Sequence, residues 1–206
     1  TQPALLFQHD SDSQIQLQIC FRAVSYNHPD YFIAALISRL FDDGVTSRLQ
    51  KILREEKGLV YSVECRATSL PDTGTIDFDV SVRSEKIIEV TEILLGEINK
   101  FILSGVSEDE LNLVKQRYGY DLDYELDDPY RQIIRHGFCH LYSTEYSAEE
   151  EREKISEITP FDILRVARNI FVPEKLNFVL VGPFPSELKT RLQQLGRKLL
   201  IIFSLK

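Results

Sequence analysis

The sequence predicts an α+β fold, with helices packed on one face of a largely antiparallel sheet. Three observations carry this. Several segments alternate apolar and polar residues strictly, as half-buried antiparallel strands do. Other segments repeat their apolar residues at helical spacing and open on capping residues. The order reads strand, strand, two helices, two strands, a run of helices, a strand and a helix.

Taken in order, residues 14–23, QIQLQICFRA, place Ile15, Leu17, Ile19, Phe21 and Ala23 on one face. Gln14, Gln16, Gln18, Cys20 and Arg22 fall on the other. Pro29 stands at a first-turn position before DYFIAALISRLF, a helix apolar almost all round and therefore buried. Ser47 and Gln50 have capping-box spacing; Leu49, Ile52 and Leu53 form the stripe of the short helix that follows, and Gly58 supplies its left-handed stop. Residues 59–68 and 75–82 read as strands joined by the turn PDTG at 71–74, hence a hairpin. Ile87, Val90, Leu94, Ile98 and Phe101 mark a long helix over 85–103. Ser107 with Glu110, Ser147 with Glu150, Asp128-Pro129 and Thr159-Pro160 open four more helices. LNFVLVG, at 176–182, is apolar on both faces and belongs inside the sheet.

The chain has 206 residues and no repeat or linker that demands a boundary, so a single domain over 1–206 is expected. Its net charge of −8, with no basic block, argues against nucleic acid as a partner. No apolar run is long enough to span a membrane, and the tail KLLIIFSLK reads as a packing or interdomain segment. Cys20, Cys65 and Cys139 are odd in number and form no C-x-x-C, which points to reduced core thiols and favours a cytoplasmic setting. The chain begins at Thr1 and contains no Met, as expected of a mature product or an excised piece of a longer parent.

Three stretches invite a chemical reading. HGFCH at 136–140 sets His136 and His140 one helical turn apart beside Cys139, but indicates no fourth zinc ligand. Asp77 and Asp79 share the polar face of a strand, where a solvated surface is the default. In SRLQKILREEKGLVYSV, residues 47–63, a glycine joins a charged helix to a strand. On the residues alone, Arg54 lies over the sheet and Tyr61 packs with Val63 and Cys65; alternatively, both are aimed at a ligand.

The stretch from Asp42 to Val63 resembles the second, zinc-free half of pitrilysin/insulinase-type metallopeptidases, the inverzincins. The matching features are Gly44, Ser47-Arg48-Leu49, Leu53-Arg54-Glu55 and Gly58-Leu59-Val60-Tyr61-Ser62-Val63, in order and without a gap. GVSEDELNLVK at 105–115 and ITPFDILRVARNIFVPEKLNFVLVGP at 158–183 extend the resemblance from about Gln14 to Pro183. It implies a processing-peptidase-like half, the non-catalytic C-terminal part of a two-half enzyme. Arg54 and Tyr61 would then reach the active site of the other half, holding the substrate carbonyl oxygen and stabilising the tetrahedral intermediate. It further implies a zinc-bearing N-terminal half as partner, attached or separate, with zinc there and no cofactor in this chain. A peptide would be the substrate, bound by strand addition at an exposed sheet edge, with the glutamine face of 14–22 lining the chamber; a dimer stays open. H-x-x-E-H is missing, so no peptide hydrolysis is expected from this chain alone. Relatives that serve as non-peptidase structural subunits supply the alternative, an assembly module.

Overall fold

The computed structural model describes residues 4–194 except 145, 186 and 193. Five strands form one sheet: β1 (Ala4–His9), β2 (Ile15–Ala23), β3 (Val60–Ser69), β4 (Gly74–Val82) and β5 (Leu176–Gly182). Their spatial order is β1-β5-β2-β4-β3. Only the β1–β5 pair is parallel; the other three pairings are antiparallel, as the alternating patterns require. β5 lies inside the sheet between β1 and β2, as its apolar composition predicts.

Six α-helices precede β5: α1 (Tyr31–Phe41), α2 (Ile87–Ser104), α3 (Glu108–Asp127), α4 (Pro129–Tyr142), α5 (Ala148–Glu157) and α6 (Pro160–Ile170). A seven-residue π-helix, Gln50–Glu56, connects α1 to β3. The core lies between the helices and the apolar face of the sheet. Ile15, Leu17, Ile19 and Phe21 of β2 and Ile76, Phe78, Val80 and Val82 of β4 enter it, all at most 2% exposed. There they meet Leu36, Ile37 and Phe41 of α1, the α2 stripe, and Ile163, Val166 and Ile170 of α6. Its centre is aromatic: Phe21 meets Phe171 edge-on at 5.0 Å, and Phe41 lies 5.1 Å from Phe78 and 4.8 Å from Phe101.

Most helix starts follow the sequence. Ser147–Glu150 and Thr159–Asp162 close full capping boxes, and Asp128 accepts from the N–H groups of Tyr130 and Arg131. Ser107 caps α3 through the Glu110 N–H, while the Glu110 carboxylate turns to Arg48. Two expectations are corrected. Pro29 lies outside α1, whose N-cap is Asp30. Ser47 and Gln50 do not box each other: the Ser47 hydroxyl donates to the Gly44 carbonyl, and Gln50 has other partners. Gly74 begins β4 in a space that admits no side chain, since a Cβ there would sit 2.0 Å from the Val24 carbonyl oxygen. The closing helix expected after β5 is present: residues 187–192 and 194 are helical, and Leu188 and Leu192 are buried.

Candidate functional site at the π-helix and the β3 bulge

Arg54 and Tyr61 both stand on irregular backbone. Arg54 is in the last turn of the π-helix, a wider winding that recurs at functional sites. Gly58, at φ +58°, stops this helix; its N–H donates to the Arg54 carbonyl, and the Leu59 N–H returns to the Leu53 carbonyl. Three residues after Gly58 the pairing of β3 slips. Val60 faces Val82, but Ser62 faces Ser81, so Tyr61 is the extra residue of a β-bulge. Strict alternation would put Tyr61 beside Val63 and Cys65, which are buried. The bulge instead leaves it 50% exposed, so the packing reading of Tyr61 fails.

The Tyr61 hydroxyl accepts from Arg83 Nε at 2.9 Å, and the guanidinium lies 5.7 Å from the ring centre. Gly58, Leu59, Tyr61, Arg83 and Lys86 line a shallow recess of about 290 Å³. Arg54 is exposed, and its guanidinium has no hydrogen-bond or ion-pair partner among the described residues. The two expected site residues therefore flank one joint, with no hydrogen bond or cation–π contact between them. Arg83 was not singled out in the sequence; counting the hairpin register back from PDTG puts it beside the start of β3.

The other motif residues hold the joint in place. Arg48 grips Glu110 with two bonds of 2.6 and 2.7 Å, donates to the Gly105 carbonyl, and covers Phe101 at 4.9 Å. Gln50 Nε2 donates to the Val63 carbonyl at 2.8 Å and to Asp42 Oδ1 at 3.1 Å, while Asp42 Oδ2 accepts from the Cys65 N–H at 3.1 Å. β3 is an edge strand, and these two side chains supply the donor and acceptor that one residue of an added parallel strand would supply. On this edge the Val63 carbonyl and the Cys65 N–H are thus occupied by side chains of the chain itself.

The polar face of β2 is likewise engaged. Gln16 donates to Ser81 at 3.0 Å, Ser81 donates to Gln14, and Gln18 donates to Asp79 at 2.9 Å. Asp77 accepts from Thr75, and partial burial raises the Asp79 carboxyl above its ordinary range. Burial and Asp77 push the Cys20 thiol up to about 12, and burial holds the Cys65 thiol well above its ordinary range, so neither is a reactive thiolate. His136 and His140 are exposed while Cys139 is buried. Among the described residues, no group of three or more His, Cys, Asp or Glu is placed to hold a metal ion. No helix among them is long and apolar enough to cross a membrane.

A two-layer α+β domain without a metal-ligand cluster among its described residues is the class this geometry defines. The family model for the peptidase M16 inactive domain matches residues 2–118, and the chain belongs to that family. A zinc protease of Streptomyces coelicolor is 25% identical over 72% of this chain and 32% of its own length. A zinc protease of Bacillus subtilis is 22% identical over 82% of this chain and 42% of its own. This chain thus spans well under half of those curated relatives. Among solved structures, a peptidase M16 inactive domain from Pseudomonas fluorescens superposes with a TM-score of 0.78 at 19% identity, over 88% of this chain and 44% of that one. A chain of complex III2 from Candida albicans gives 0.82 at 18% identity, over 96% and 49%. At these identities the structures establish the fold alone.

Proposed function

We propose that this chain is the zinc-free half of a zinc metalloendopeptidase. It closes the chamber over a peptide substrate and presents Arg54 and Tyr61 to the active site of a zinc-bearing half, which is either part of the same parent chain or a separate subunit. The observation that carries this reading is the paired irregularity: a π-helix exposes Arg54 and a bulge exposes Tyr61, on either side of Gly58. Regular backbone would have turned Tyr61 toward the core. The metal belongs to the other half, and this chain contributes donors. A guanidinium and a phenol suit an oxygen on which negative charge develops, and their contribution grows as water is excluded. Arg83 holds the Tyr61 ring and oxygen in place and leaves the phenolic hydrogen free to point outward.

The test is reconstitution with the zinc-bearing half, followed by peptide cleavage. Arg54→Ala and Tyr61→Phe are each expected to lower kcat by about 10²-fold, the scale for losing one such donor, with KM little changed. Wild-type rates in both variants would make the chain a wall only. If the two halves bind but no cleavage appears, the chain is an assembly module.

A further inference from the structure

Beyond the joint, the described residues enclose a cavity of about 500 Å³ between α4, the start of α1 and the end of β2. Its walls are rings: Tyr26 lies 4.8 Å from Tyr31 and 4.9 Å from Tyr142, and Phe138 lies 5.5 Å from Tyr142. Its floor is polar and buried. Glu151 accepts from the Tyr118 hydroxyl and from Arg135 Nη2. Nε and Nη1 of Arg135 have no partner among the described residues. At the mouth, Ile134 and Phe138 remain 43% and 45% exposed. Size, aromatic lining and a few convergent donors are the attributes of a ligand site.

We propose that this cavity binds a large aromatic side chain of a peptide, with a peptide carbonyl accepting from the open edge of Arg135. The charges lining the cavity balance, Arg131 and Arg135 against Glu125 and Glu151, so a charged ligand gains little and a neutral ring beside a neutral carbonyl gains most. The apolar mouth continues past the cavity along α4, which suits a chain rather than a lone ring. Ser69, at the opposite end of β3 from Tyr61, also lines the cavity. The two sites are therefore separated by roughly 26 Å of extended strand. The peptide assignment rests on the chamber reading above; the binding itself is measured without the zinc half.

The chain contains no Trp, so a Gly/Ser peptide carrying one Trp is its own reporter. Titration with the 206-residue chain is expected to shift its emission to the blue and raise its anisotropy, with no change for an otherwise identical Ala peptide carrying an amino-terminal dye. Phe138→Ala and Ile134→Asp, both at exposed positions and checked for fold by circular dichroism, are expected to weaken binding about tenfold. Arg54→Ala is expected to leave it unchanged, so failure of the catalytic reading and failure of this one are separable. Any of four results overturns the proposal: no blue shift, a shift indifferent to Phe138 and Ile134, equal loss with Arg54→Ala, or N-acetyltryptophanamide binding as tightly as the peptide.

Discussion

Tyr61 shows how one extra residue changes what a side chain can do. The ring lies outside the core because the β3 ladder slips by one position at the residue itself. Arg83 then fixes the ring from the neighbouring strand end. Arg83→Gln is expected to lower kcat by a smaller factor than Tyr61→Phe, because it removes a positioning bond and leaves the phenol in place. Steady-state kinetics of the reconstituted enzyme checks the ranking. Asp162 offers a residue-level prediction of stability. Its hydrogen bonds from Thr159 hold its carboxyl below the ordinary 3.8, with Arg165 assisting. A lowered folded pKa contributes stability in full above the unfolded value, and that stability is lost as pH falls through the folded value. Asp162→Asn should therefore flatten the acid limb of stability against pH and leave its neutral-to-alkaline shape unchanged, as read by urea midpoints at a series of pH values.

At the scale of elements, the clamp of Asp42 and Gln50 joins the π-helix to β3. Removing either side chain unsatisfies a main-chain group at the strand edge, a loss of about 1 kcal/mol. Asp42→Ala should also speed exchange of the Cys65 amide, while the amides of β2 keep their protection; hydrogen exchange by NMR checks this. Much at this scale was legible. The hairpin, the caps at Asp128, Ser147 and Thr159, and the inward face of β2 follow from alternation and capping chemistry, which act between near neighbours. Gln50 was misread because its spacing from Ser47 fits a capping box, while its partners, Asp42 and Val63, are set by where β3 docks. The bulge was hidden for the same reason: alternation does not reveal a register slip that depends on the opposing strand. The resemblance draws the eye to Arg54 and Tyr61, but the partner of Tyr61 is set by the sheet.

At the scale of the whole molecule, the helices lock onto the sheet through one aromatic centre. Phe78 is fully buried and contacts Phe21, Phe41 and Phe171. Phe78→Ala is expected to cost about 3–5 kcal/mol, as such a cavity does in a packed core. Chemical denaturation measures the cost directly. It is a test of the shared core, since the clamp, the bulge and the aromatic cavity all hang from strands and helices anchored there.

The clamp on β3 has one more consequence. A sheet that grows by adding neighbours without end must offer two open sides, one to receive a strand and one to pass the invitation on. With the centre of β3 closed by its own side chains, β1 is the remaining outer strand among the described residues. A molecule with one usable side can pair with a second copy, and growth then stops. Replacing Asp42 and Gln50 together by Ala would free that side as well, so the double variant is expected to show scattering that rises with time where the unaltered chain's stays flat.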